Sequence, residues 1–257
     1  MFCILLADRG KRRRGKPFYR RPKIENIKYG DSHYDIIRAT MKKGKLYWPA
    51  IARAMRGRPF ITQVDINLPD DFRSMLFDSS RYRQHIEIHS ALTVLKLASK
   101  YKRSVSVALI DKDCCFCGCL KPLMNLSNEV YIITKQIEQY SEYANECYSL
   151  FGAAPVVTDG YGVAERCNVI MCPDGRGVID TDKCVFAPLK ECWHIGKNCI
   201  TTVAGCPEGI DEIDFAAALY ELCGIKRMAT ITAGFMTAMG VKEPLDAIVR
   251  RICLDIK

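Results

Sequence analysis

SVSVALIDKDCCFCGCLKPLMNLSNEVYIITKQIEQYSEYANECYSLFGAAPVVTDGYGVAERCNVIMC, residues 104–172, is the stretch on which the fold turns. Its apolar residues come in short blocks. Residues 104–110 form a run of the length that a strand buried on both faces needs, because a parallel sheet hides both of its surfaces from water. Residues 119–126 fit a short helix, 129–134 a second strand, and 136–151 a longer helix. Gly152 closes that helix, since glycine adopts the left-handed conformation of a helix end without steric cost. A third strand over 155–158, a short helical crossover over 161–166 and a fourth strand over 168–172 complete the alternation. Strands alternating with helices in this way predict a parallel sheet joined by right-handed crossovers.

Upstream, residues 2–8 read as a short buried strand. Ile24, Ile27 and Tyr29 face Tyr34 and Ile36 across Gly30-Asp31, a hairpin signal. Pro49 suits the first turn of a helix running to about Met55, which Gly57 and Pro59 terminate. A polar connection over 62–71 follows. These signals predict a small N-terminal region of antiparallel β plus helix over 1–70, followed by a Rossmann-like α/β domain over 71–257. A helix over 81–101 leads that domain, with Ile86, Ala91, Val94, Leu95 and Ala98 at helical spacing. Downstream, residues 200–204 fit a fifth strand, 212–223 a helix, and 244–256 an amphipathic helix through Leu245, Ile248, Val249 and Ile252.

With 257 residues, 49% of them hydrophobic, the chain can bury a full core. No apolar run approaches the roughly 18–20 residues of a membrane span, so no membrane partner is expected. The apolar start precedes the basic run, the reverse of a secretory leader, and this order points to a cytoplasmic chain. Fourteen cysteines in such a setting read as reduced thiols rather than a disulfide framework. Cys147, Cys223 and Cys253 each fall in helix-like segments, where a free thiol packs as a small hydrophobe. The net charge of +9 is local: residues 9–23 hold nine cations and no acid, and outside them cations and acids balance. Arg12, Arg13, Arg14, Lys16, Arg20 and Arg21, with Phe18 and Tyr19 interleaved, could neutralise phosphates and stack a base, making RNA or DNA the partner. The other readings of such an arm are a solvated loop, or pairing with the acids of a partner subunit in a homodimer.

Residues 129–175, EVYIITKQIEQYSEYANECYSLFGAAPVVTDGYGVAERCNVIMCPDG, resemble the second half of the nicotinamide-binding domain of shikimate dehydrogenase-like proteins. In that family a strand ends in a polar or basic residue, a long helix closes at Phe-Gly, and a short crossover precedes a hydrophobic strand. The resemblance implies a Rossmann-like, NAD(P)-type fold. The first turn departs from it. A dinucleotide loop uses several glycines to bring backbone N–H groups against the pyrophosphate. Here that turn reads Asp111-Lys112-Asp113-Cys114-Cys115-Phe116-Cys117-Gly118, with one glycine and two carboxylates. If a dinucleotide binds nevertheless, Thr134-Lys135 suits the 2′-phosphate of NADP better than the bare ribose of NAD.

Asp111-Lys112-Asp113 also resembles the opening motif of haloacid dehalogenase-type phosphatases, which implies Asp111 as nucleophile and Thr134 as the second motif. The spacing to Thr134 is short for the flap those enzymes insert, and strand-ending, helix-capping acids are the simpler reading. Asp111, Asp159 and Asp174 would share the carboxyl edge of a parallel sheet, where three acids can hold Mg²⁺ or merely shape turns. Cys114, Cys115, Cys117 and Cys119 are dense enough for soft metals but too close together for one tetrahedral ion, and a helix N-terminus would lower a nearby thiol's pKa. Cys184, Cys192, His194, Cys199 and Cys206 lack a CxxC anchor. His85 and His89 share one helical face without the HExxH order of a zinc hydrolase. No metal and no catalytic residue is assigned on this basis. The expected function is recognition of a nucleotide or NADP-like small ligand at the strand carboxyl ends. The alternatives are nucleic-acid contact through the arm, and an oxidoreductase or phosphatase.

Overall fold

The computed structural model describes residues 1–9, 21–63, 65–101, 104–174, 184–186, 194–195, 205–224, 235–238 and 241–254. The chain forms two compact units, Met1–Ser79 with Thr202–Thr230, and Ser80–Thr201 with Ile231–Lys257.

The first unit is built on β1 (Cys3–Arg9), β2 (Lys23–Tyr29), β3 (Ser32–Met41), α1 (Trp48–Met55), β4 (Phe60–Thr62) and the short α2 (Asp70–Arg73). The sheet order is β2-β3-β1-β4. The expected hairpin is present, with Gly30 at φ 60° turning β2 into antiparallel β3. Beyond that hairpin the sheet is mixed rather than antiparallel, because β1 runs parallel to both β3 and β4. Strands that run the same way need a crossover connection; α1 lies in the one that carries the chain from β3 past β1 to β4. Ile51, Met55, Phe60 and Phe72 pack with Cys3, Leu5 and Ile37 as one cluster. Phe2 and Tyr34 stack at 5.3 Å, and Phe215 meets Tyr34 edge-on at 5.5 Å. Arg58 pairs with the buried Asp35 at 2.6 Å.

Of the basic arm, residues 10–20 lie outside the described residues, and Arg21 is exposed just before β2. The segment 9–23 includes the last residue of β1 and the first of β2, so deleting it would cut into both strands. Charge replacement is the cleaner test. Changing Arg12, Arg13, Arg14, Lys16, Arg20 and Arg21 to Ser is expected to abolish any retention on immobilised RNA or DNA. Where binding is measurable, the salt slope should fall by up to about 5. Unchanged retention at the same salt would remove the arm from consideration.

The second unit starts with α3 (Ser80–Ser99) and continues through β5 (Ser106–Ile110), a 3-10 turn (Cys117–Cys119), α4 (Leu120–Leu126), β6 (Glu129–Ile133), α5 (Ile137–Phe151), β7 (Val156–Thr158), a 3-10 segment (Tyr161–Arg166) and β8 (Val169–Met171). Its parallel sheet has the order β7-β6-β5-β8-β9, where β9 is Cys184–Phe186. In chain order this is 3-2-1-4-5, the arrangement of a Rossmann-like sheet. The fifth strand is therefore Cys184–Phe186; the expected strand at 200–204 lies outside the described residues. β5 is central and buried on both faces. Val107 and Leu109 join the cluster beneath α3, α4 and α5, whereas Ala108 and Ile110 face Ala164, Cys167 and Ile170 on the other side. This alternation explains the continuous apolar run, and each fully buried Leu or Ile there contributes about 1.5–3 kcal/mol. Gly152 takes the left-handed end of α5 at φ 70°.

α6 (Glu212–Cys223) belongs to the first unit, with Asp211 accepting from the N–H groups of Ile213 and Asp214 as its N-cap. A small antiparallel sheet of β10 (His194–Ile195), β11 (Phe235–Ala238) and β12 (Val241–Pro244) leads into α7 (Leu245–Leu254), which packs on α3. Among the described residues no helix is long and apolar enough to cross a membrane.

Candidate functional site

The parallel pairing puts the residues after β5, β6, β7 and β8 on one edge. Asp111, Thr134, Asp159 and Asp174 all follow these strands, as their sequence positions imply. β5 is flanked by β6 on one side and β8 on the other, so the chain winds away from it in two directions. That topological switch is where open α/β sheets hold ligands.

The turn after β5 is closed by its own first residue. Asp111 is 1% exposed. Its Oδ1 accepts from the N–H of Cys115 at 3.1 Å and its Oδ2 from that of Phe116 at 2.7 Å. The Tyr140 hydroxyl donates to the same Oδ2. Tyr140 comes from α5, on the buried stripe that also carries Cys147, and is itself fully buried. Burial first, then the hydrogen bond to Asp111 and that carboxylate's charge, raise the Tyr140 phenol far above its ordinary range. Cys114 enters the left-handed region at φ 56°, and the next two amides converge on the carboxylate. In a dinucleotide loop, such convergent N–H groups would face a phosphate. Here an internal carboxylate takes that place.

Gly118 has no special role in this arrangement. Its φ lies outside the left-handed region, and a Cβ there would meet nothing within 4 Å. Lys112 is half-buried and Asp113 exposed. Thr134 is buried, with its Oγ1 accepting from Gln136 N–H at 3.0 Å and its own N–H donating to the Thr158 carbonyl at 2.8 Å. It shapes the entry to α5. Lys135 beside it is exposed, as is Asp159. Asp174 accepts from the Cys172 thiol at 3.6 Å. A nucleophilic carboxylate needs an accessible oxygen, and Asp111 has both turned inward, so the geometry favours the capping role.

The structure does not gather Asp111, Asp159 and Asp174 around one point. Among the described residues no group of three or more His, Cys, Asp or Glu is placed to hold a metal ion. Cys192 and Cys199 lie outside the described residues; Cys184 and His194 belong to the second unit and Cys206 to the first. His85 and His89 are on the exposed side of α3. Glu87 between them is only 5% exposed, and its Oε2 meets no hydrogen-bond partner among the described residues. Burial pushes its carboxyl up to about 8. The expectation that a helix N-terminus lowers a thiol's pKa is overturned in the cysteine-rich turn. Burial, then Cys117 and Asp111, push Cys114 up to about 11, and burial, then Asp111 and Cys117, push Cys119 up to about 12. Loss of solvation and a buried anion outweigh the weak field of one helical turn.

One residue central to this geometry, Tyr140, is not singled out by the sequence as functional. A tyrosine on the apolar stripe of a helix is the available signal, because a buried phenol seeks a partner.

Strand order and switch point define an α/β protein with a Rossmann-like sheet. No protein-family model matches the chain, and no curated protein matches it. Among solved structures it is similar to L-tryptophan dehydrogenase from Nostoc punctiforme, at 14% identity and a TM-score of 0.33, over 87% of this chain and 74% of that one.

Proposed function

We propose that the second unit binds a nucleotide or an NADP-like small ligand at the carboxyl ends of its parallel sheet, without using the first turn as a pyrophosphate cradle. The observation that carries this reading is the switch point at β5, flanked by β6 and β8. Asp111 already satisfies the amides of Cys115 and Phe116, and a second anion against it would be repelled. Phosphate recognition then falls to side chains, with the exposed Lys135 at the end of β6 suited to a 2′-phosphate. This is a binding role and assigns no reaction.

Thermal-shift and calorimetric titrations with NADP, NADPH and NAD test the idea. The NADP forms should bind more tightly than NAD, and Lys135→Ala should weaken NADP by about tenfold, the worth of one charge-assisted contact. Equal shifts for the native chain and the Lys135→Ala variant would reject the 2′-phosphate contact. No shift with any of the three would reject the dinucleotide class.

A further inference from the structure

We propose that Cys114 and Cys117 form a redox-active CxxC pair in the turn after β5, closing to a disulfide by exchange with a low-molecular-weight disulfide. This assignment stands independently of the ligand reading above.

Three observations meet at this turn. Cys114 and Cys117 stand three positions apart on the one turn that follows β5, with Cys117 opening its 3-10 segment. Both cysteines are free and half-buried, packed against the apolar cluster while still open to a small reagent. The backbone between them is pinned, since the N–H groups of Cys115 and Phe116, the two intervening residues, both bind Asp111. A short loop held in this way keeps two sulfurs close without further ordering, which favours ring closure over a lasting mixed disulfide.

The surroundings also favour the oxidised state. Strongly oxidising CxxC pairs owe that character to a stabilised thiolate, which holds them reduced. Around Cys114 the opposite applies: burial and the Asp111 carboxylate disfavour the thiolate. A disulfide carries no charge and escapes both penalties. Cys119 is packed against the same cluster, and the exposed Cys115 sits near the Asp113 carbonyl at 3.7 Å.

In the exchange, one protein thiol loses its proton and attacks a sulfur of the small disulfide, expelling one small thiolate. The second protein thiol, deprotonated in turn, attacks the first protein sulfur and expels the other. The two protons end on the two released thiolates. The protein gives up two electrons and two protons, and one small disulfide becomes two small thiols.

The full chain, purified without oxygen, is equilibrated with graded mixtures of reduced and oxidised glutathione, acid-quenched and alkylated with a maleimide for intact-mass counting. The expected result is a two-thiol loss from the alkylatable count, reversed by excess dithiothreitol, absent in Cys114→Ser and Cys117→Ser and retained in Cys115→Ser and Cys119→Ser. Far-ultraviolet circular dichroism checks that each variant folds, with Cys→Ala versions replacing any that do not. A second readout uses the native chain: dibromobimane, which becomes fluorescent on bridging two nearby thiols, should mark residues 114 and 117 in peptide mapping and fail to do so after oxidation. The proposal is overturned if every thiol survives the most oxidising mixture, if the loss persists without Cys114 or Cys117, or if it requires Cys115 or Cys119.

Discussion

Asp111→Ala is expected to lower the unfolding free energy by about 3–5 kcal/mol, because it leaves two buried donors and one partly buried donor facing a void. Those donors are the amides of Cys115 and Phe116 and the hydroxyl of Tyr140. Each would keep the desolvation cost of burial and lose the acceptor that offset it. Asp111→Asn retains one carbonyl oxygen and should cost less, about 1–2 kcal/mol. Tyr140→Phe removes a single donor and leaves the amides held, so a loss of about 1–2 kcal/mol is expected. Since Tyr140 and Asp111 share one hydrogen bond, the double variant should fall short of the sum by about 0.5–3 kcal/mol. Alkaline pH gives a separate check. The folded-state pKa of Tyr140 is raised above its unfolded value near 10, so its contribution is complete below about pH 10 and is lost as pH rises beyond that. Tyr140→Phe should lack that loss. Equilibrium urea unfolding measures all of these; an Asp111→Ala variant within about 0.5 kcal/mol of the native chain would show that the carboxylate does not hold the turn.

The parts of this fold that the sequence displays are those whose physics is local. The apolar runs of β5 and β6 declare themselves because burial on both faces leaves no room for polar alternation. The end of α5 declares itself through Gly152, whose φ of 70° few other residues accept. Strand partnership is not local. Nothing in residues 3–9 says that β1 will lie parallel to β3 and β4, and proximity to a hairpin suggests the antiparallel arrangement instead. Cys184–Phe186 is too short to carry a periodic signal. The candidate site divides in the same way. Its address, the strand ends at Asp111, Thr134, Asp159 and Asp174, follows from counting residues. The inward turn of Asp111 depends on Tyr140, 29 positions away, and on a left-handed residue at Cys114, where the sequence offers no glycine to announce it. Strand ends can be counted along the chain, whereas the partners of the Asp111 carboxylate are set by tertiary contacts.

Glu87 provides the clearest case of a residue read by its neighbours instead of its own face. His85 and His89 mark the exposed side of α3, but Glu87 lies on the stripe of Ala91, Val94 and Ala98, all fully buried. A carboxylate among them loses its hydration, and its Oε2 finds no acceptor or donor among the described residues. Burial therefore holds the acid neutral up to about pH 8 in the folded chain, against 4.5 for the free side chain. The folded state binds the proton more tightly than the unfolded state. Its stabilising contribution is complete below about pH 4.5 and is lost as pH rises through about 8. Glu87→Gln keeps the shape and removes the ionisation. Relative to the native chain it should gain about 2–4 kcal/mol on going from about pH 5 to about pH 9, a discounted fraction of the full linkage. The difference between the two proteins isolates Glu87, since every other titrating group is common to both. Urea midpoints measured across that range should diverge as pH rises. If the two curves run parallel, the Glu87 carboxyl is solvated or paired in solution, and α3 does not bury an acid in its apolar face.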